Sequence, residues 1–147
     1  MEFSIEVEGL DELAEALGAR LGDVLPAAMK GVGKAAKAVE KDARKLAPVA
    51  PVNGGNLRRS IHATAPEVRG DAIEAKVVAG AEYAVYVEYG TGVRGADSSL
   101  PEGMPPVTYS PDWAGQTAQP YMYPAMKKNE QKTKDTIADE VRKAVEK

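Results

Sequence analysis

Asp23 to Pro48 reads DVLPAAMKGVGKAAKAVEKDARKLAP, and the spacing of its apolar residues decides the fold. Leu25, Val32, Val39 and Leu46 fall seven apart, with Ala28, Ala35 and Ala36 between them. That period predicts one long amphipathic helix, starting near Asp23 and closed by Pro48. Pro26 suits the first turn, where its missing N–H has no intrahelical partner. Small residues on the apolar stripe let another layer pack closely. Lys30, Lys34, Lys37, Lys41, Arg44 and Lys45 lie on the opposite face. Such a face is either simply solvated or a basic surface that docks an acidic neighbour or lines a passage for DNA.

On the N-terminal side, Glu2–Glu8 alternates Phe3, Ile5 and Val7 with polar residues, the period of a half-buried strand. Gly9 ends it. Leu10, Leu13, Ala14, Leu17 and Leu21 then follow helical spacing, with Asp11, Glu12 and Glu15 where a helix dipole favours acids. On the C-terminal side, the Pro/Gly-rich stretch 47–55 leads into NLRRSI (56–61), enough for one helical turn. Ile61, Ala63 and Ala65 alternate, as do Ile73, Ala75, Val77 and Ala79, and Gly70-Asp71 between them supplies a hairpin turn. Residues 81–92, AEYAVYVEYGTG, fit a helix by Tyr83, Tyr86 and Tyr89, or a strand by Tyr83, Val85, Val87 and Tyr89. Residues 93–119 contain Pro101, Pro105, Pro106 and Pro111 and show no period; a loop so long in a small domain is functional or mobile. Residues 120–147 read as a terminal helix. The expected fold is α+β: a small, mainly antiparallel sheet on one long helix, with a C-terminal helix and a long Pro/Gly-rich loop (93–118), all in a single domain over 1–147.

The chain has 147 residues, 44% hydrophobic and 28% charged, which is enough for one buried core. Ala dominates the apolar set, and there are only one Trp, six Tyr and one Phe. At about 25 cal/mol per Å² such a core is thin, so stability leans on partner subunits. Net charge is −3, distributed as −6 over residues 1–23, +6 over 24–62, −5 over 63–126 and +2 over 127–147. Alternating blocks suit copies that meet through complementary faces. With no Cys there is no thiolate chemistry. No apolar run is long enough for a membrane span, and the N-terminus lacks the pattern of a signal peptide, so cytoplasmic synthesis is expected.

Gly90-Thr91-Gly92-Val93-Arg94-Gly95 spells G-x-G-x-x-G, the dinucleotide-binding motif. Context argues against it. The following VRGADSSLPEGMPP cannot open a helix that aims N–H groups at a pyrophosphate, and the acid at the right distance, Asp112, sits in a Pro-rich loop. His62, the sole imidazole, lies on an alternating strand beside Thr64, and one His without Cys makes neither a triad nor a zinc site. Arg69-Gly70-Asp71 reads as a turn rather than as an adhesion tripeptide. Glu88, set among Tyr86, Val87 and Tyr89, comes nearest to a perturbed carboxylate. A buried Glu there accepts hydrogen bonds from tyrosine hydroxyls or backbone, or pairs with an Arg across an interface. No catalytic, cofactor or metal residue is predicted.

YAVYVEYGT (83–91), AQPYMYPAM (118–126) and APVAPVNGGNLRRSI (47–61) together resemble the tail-component proteins encoded in the neck gene cluster of long, non-contractile-tailed phages. These are minor tail, tail completion or head–tail joining proteins. The shared pattern is a helix ending in Ala-Pro (Ala47-Pro48), a Gly (Gly55), then Leu57-Arg58-Arg59-Ser60-Ile61. Tyr83 to Thr91 and Gln119-Pro120-Tyr121 with Pro124-Ala125 complete it. Residues 93–118 are longer and richer in Pro than that pattern. The resemblance implies a non-enzymatic virion protein of the neck or tail, made in the bacterial host cytoplasm. It would form a ring of copies and touch connector, adaptor or stopper proteins, the tail terminator or the tail-tube protein, with non-specific contact to DNA in the channel. A tail-terminator or tail-tube subunit is the alternative within the same class, and a DNA-binding accessory protein a further one. The structural or interface motif it implies is Tyr83, Tyr86, Glu88, Tyr89, Gly90, Thr91, Gln119, Pro120 and Pro124, with a structural role favoured for Glu88 to Thr91 and with loop 93–118 ordering on assembly.

Overall fold

In chain order the elements are β1 (Glu2–Val7), α1 (Leu10–Ala16), α2 (Leu21–Leu46), α3 (Asn56–Ser60), β2 (Ile61–Ala63), β3 (Glu67–Arg69), β4 (Ala72–Ala79), α4 (Ala84–Tyr89), α5 (Gly92–Ala96), α6 (Met122–Lys128) and α7 (Glu130–Val145). The computed structural model describes residues 1–51 and 54–146; Val52 and Asn53 of the Pro/Gly-rich connection, and Lys147, lie outside the described residues. The fold is α+β, with a four-stranded antiparallel sheet on one flank of α2 and α6–α7 packed along another.

The long helix forms as the apolar period demands, with Val24, Ala28, Val32, Ala35, Ala36, Val39 and Ala43 buried. Its ends differ from expectation. Leu46 is exposed and Leu25 only partly buried. A strict seven-residue spacing drifts about 20° per heptad on a straight helix, so a stripe extended from Leu25 to Leu46 rotates off the core. The helix also starts two residues earlier, at Leu21, because α1 ends sooner. Gly18 (φ 63°) closes α1 with paired bonds, Gly18 N–H to Glu15 O (3.0 Å) and Ala19 N–H to Ala14 O (2.9 Å). Pro26 therefore falls past the first turn, inside the helix.

Strand β4 is the centre of the sheet, with β1 on one side and both β2 and β3 on the other. Ile73, Ala75, Val77 and Ala79 bury against α2 on alternate positions. The expected run from Ile61 to Ala65 stops at Ala63, and Glu67–Arg69 pairs as a separate strand. Three residues, Thr64, Ala65 and Pro66, face two on β4, a bulge. Thr64 bridges it: its N–H donates to Lys76 O (2.8 Å), and its hydroxyl accepts from Lys76 N–H (2.9 Å). Pro66 has no N–H to lose. Gly70 (φ 63°) makes the β3–β4 turn.

The C-terminal helix is two helices. Asn129 is buried, and its amide donates to Ala125 O (2.8 Å) and to Asp42 Oδ2 on α2 (2.7 Å). Its side chain competes for a carbonyl of the helical ladder, which interrupts the helix there. Next to it α7 lies so close to α2 that a Cβ at Gly31 would sit 2.8 Å from Ile137 Cα. Glu140 on α7 meets Lys34 (2.5 Å), Lys30 (3.6 Å) and Lys143 (3.7 Å). The Lys34 hydrogen bond, aided by the charges of Lys30, Lys34 and Lys143, holds the Glu140 carboxyl below its ordinary range.

A carboxyl with a lowered folded pKa adds stability above its unfolded pKa and loses it as pH falls through the folded value. Glu140 and Asp42 both have this sign. Denaturant unfolding followed from pH 7 down to 3 is expected to show falling stability, with a shallower fall in Glu140→Gln. An equal slope in the variant contradicts the assignment.

Candidate functional site

The segment that sequence left open between helix and strand is a helix, α4, and its six residues cannot satisfy their own carbonyls. The last four C=O groups of any helix need outside donors. Here residues 109–119 supply three of the four. Gln119 N–H donates to Val87 O (2.8 Å), the Tyr109 hydroxyl to Tyr89 O (2.7 Å) and Gln116 Nε2 to Tyr86 O (3.3 Å). The buried Tyr121 hydroxyl reaches back to Ala84 O (2.9 Å).

Glu88 reciprocates. It is fully buried, and its carboxylate accepts the backbone N–H groups that open α6: Tyr121 (2.7 Å to Oε2), Met122 (2.8 Å to Oε1, 3.2 Å to Oε2) and Tyr123 (2.7 Å to Oε1). The α6 N-terminus is thus capped from 33 residues upstream instead of by a local side chain. Burial pushes the Glu88 carboxyl up and the three N–H bonds pull it down, leaving it above the ordinary range. Both oxygens meet only donors, which is the geometry of the ionised form. Of the partners expected for Glu88, backbone is the one present; the Tyr109 and Tyr121 hydroxyls go to α4 carbonyls instead.

The chain after α4 reverses on glycine. Gly90 (φ 75°, ψ −177°) adopts a conformation only glycine takes without strain. A Cβ there would also lie 2.6 Å from Ala118 N and from Gln116 O. Thr91 pairs with Gln116 in an isolated bridge, N–H to O in both directions (2.9 and 3.0 Å), and its hydroxyl also accepts from Gln116 N–H (3.1 Å). Contrary to expectation, the stretch after Gly92 does open a helix, α5. Its first N–H groups are already used: Val93 N–H donates to Trp113 O (3.0 Å) and Arg94 N–H to Ala114 O (2.8 Å). The N–H groups of Val93 and Arg94 that a phosphate would use are therefore committed to residues 113 and 114. Its glycines allow residues 113–116 to lie against 91–94.

The expected loop 93–118 begins with α5, and the segment from Asp97 to the start of α6 is stitched to its own chain at several points. Ala118 N–H donates to Ser98 Oγ (2.8 Å), and the Tyr123 hydroxyl to Glu102 O (3.0 Å). The stitching leaves large apolar groups facing out. Tyr86 is 56% exposed, Trp113 57% and Tyr83 45%, with Val85, Val93 and Val107 also exposed. Most of these line one groove of about 680 Å³, floored by Tyr89, Gly90 and Tyr109.

The expected site residues therefore divide by role. Glu88, Tyr89 and Gly90 are buried and hold the framework, with Thr91 bridging to Gln116 and Gln119 supplying backbone. Tyr83 and Tyr86 face solvent, while Pro120 and Pro124 flank the capped start of α6. Sequence reasoning missed Trp113 and Tyr109 as site residues because the loop showed no period, and it missed Tyr121 as the central buried hydroxyl. On α2, Lys30 and Lys34 pair with Glu140, and Lys37 (3.3 Å) and Arg44 (3.6 Å) with Glu40. Lys41 and Lys45 have no ion pair among the described residues. His62 stays on the sheet surface with Ser60 O (3.1 Å), and no cluster of three potential metal ligands occurs among the described residues.

Residues 11–90 match the model of the family described as "Bacteriophage HK97-gp10, putative tail-component". The chain belongs to this family of phage tail components. The matched span ends at Gly90, so it contains α4 and Glu88 but not the α6 N-terminus that Glu88 caps. No curated protein and no solved structure matches the chain.

Replacing Glu88 with Ala strands three backbone donors, at about 1–3 kcal/mol each when buried. Glu88→Ala is expected to cost about 3 kcal/mol or more in denaturant unfolding, and Tyr121→Phe, which loses one neutral bond, about 1 kcal/mol. Equal losses in the two variants would contradict the cap as the dominant contact.

Proposed function

We propose that this chain acts as a single structural domain of the virion that assembles with copies of itself at the head–tail junction and helps complete the tail or join it to the head. Membership of a phage tail-component family supports the class. The observation that carries the finer reading is the groove presenting Tyr83, Tyr86 and Trp113. Trp and Tyr are the residues that dominate binding energy at protein interfaces. These sit on a framework fixed by the α4 carbonyl bonds and the Gly90 reversal, so little order is lost when a partner covers them.

Connector, adaptor or stopper proteins on the head side, and the tail terminator or tail-tube protein on the other, are the partners this position implies. Direct DNA contact is the weaker reading, because four of the six basic residues on the α2 face already hold internal carboxylates. A tail-terminator role uses the same aromatic surface one layer away. No helix among the described residues is long and apolar enough to cross a membrane.

Sedimentation velocity over a concentration series tests the reading. Discrete oligomers are expected, with Trp113→Ala and Tyr86→Ala each raising the concentration for half-assembly by about tenfold or more. A chain that remains monomeric throughout, alone and with the neighbouring tail proteins, contradicts it.

A further inference from the structure

The two long edges of the sheet are treated differently. On the β2 edge, outward backbone groups are occupied by α2: Arg44 Nε donates to Ile61 O (2.9 Å), and Glu40 Oε2 accepts from Ala63 N–H (2.6 Å). The β1 edge has no such cover. Met1 and Ala79 exchange bonds, Ala79 N–H to Met1 O (2.8 Å) and the Met1 ammonium to Ala79 O (3.3 Å). Antiparallel alternation then turns Phe3, Ile5 and Val7 toward β4 and leaves the N–H and C=O of Glu2, Ser4 and Glu6 pointing away from the sheet. None of these outward groups has a backbone partner among the described residues.

Beside this edge runs a groove of about 970 Å³. One wall is β1 itself, from Phe3 to Val7; the other includes Met126, Ile137, Val141 and Val145 of α6 and α7. Both β1 and α7 pack on α2, which forms a shelf beneath the gap. A strand placed here would continue the sheet and turn every second side chain onto the apolar wall of α7. A helix would leave the β1 backbone unpaired, at the cost that makes open edges reactive.

Charge narrows the occupant. On the helix wall Lys127 is paired with Glu130 (3.4 Å) and Arg142 with Asp139 (3.1 Å), and Lys134 has no ion pair among the described residues. On the strand side, Glu6 and Glu8 have no ion pair among the described residues, and their mutual hydrogen bond, burial and like charge raise the Glu6 carboxyl. Two copies of β1 laid edge to edge would set these acids against each other, which disfavours self-pairing.

We infer that the β1 edge is a strand-addition site for an extended segment of another protein, about six residues long, alternating apolar residues with Lys or Arg. Six residues span roughly 20 Å in a strand, the same reach as β1. The inference rests on sheet geometry and stands apart from the aromatic groove and the tail reading.

The probe is a synthetic Lys-Val-Lys-Val-Lys-Val-Lys peptide with blocked ends, compared with its Glu-Val counterpart and with a Lys-Val peptide N-methylated at alternate amides. Titration followed by amide NMR is expected to show the Lys-Val peptide binding at least about tenfold more tightly than either control. The Glu2, Ser4 and Glu6 amides should become protected from exchange. Two variants block the site without entering the core. Ser4→Pro removes an outward N–H that the ladder does not use, a substitution edge strands tolerate. Ala138→Tyr fills the groove from an exposed helix position. Each should weaken binding by about tenfold or more while circular dichroism is unchanged. No binding of the Lys-Val peptide, equal binding of the N-methylated peptide, or indifference to both variants overturns the inference. So does dimerisation of the protein through β1.

Discussion

A carboxylate that caps a helix 33 residues away is the constraint on which the rest of the C-terminal half depends. Glu88 is taken out of water, which on its own disfavours its charge, and three converging N–H groups offset part of that cost. The exchange is reciprocal, since residues 109–119 supply donors to three of the last four carbonyls of α4. Neither short helix is stable alone: six or seven residues fall well below the length at which a helix persists in water. Glu88 of α4 supplies the start of α6, and the segment leading into α6 supplies the end of α4, so the two form together.

This coupling links the fold to its role as a tail component. The Gly90 reversal and the Thr91–Gln116 bridge close the base of loop 93–118, so Trp113 and Val107 come to lie in the same groove as Tyr83 and Tyr86. An aromatic surface held this way differs from one on a free loop, because hydrogen bonds within the chain define its geometry. The α2 lysines contribute mainly inward. Through Glu140 they fasten α7, and through Glu40 and Arg44 they cover one sheet edge, leaving the opposite edge bare.

Much of the fold was legible because period is a local property. The α2 stripe, β1, the alternating run of β4 and the Gly70 turn all declare themselves within a few residues. Long-range contacts left weaker traces. Asn129 is only a weak local signal of a helix break, and what fixes its amide there, Asp42 across on α2, is distant in sequence. The bulge at Thr64–Pro66 follows from pairing with β4, and the one-turn helix at Gly92 from carbonyls twenty residues later. The motif residues were visible as a resemblance, but not their division into buried clamp and exposed surface. Glu88 could have been suspected from its apolar neighbours; that its partners are the amides of Tyr121, Met122 and Tyr123 required the structure. Trp113, in a segment without period, gave no signal beyond being the chain's one tryptophan.

Native-state hydrogen exchange at three amides tests the central claim most directly. If the Glu88 carboxylate holds the start of α6, the Tyr121, Met122 and Tyr123 amides exchange only through opening as large as global unfolding, alongside those of α2. Exchange of these three at rates like those of the exposed Val107 and Thr108 amides would mean that the cap is not held in solution, and the account built on it would fail.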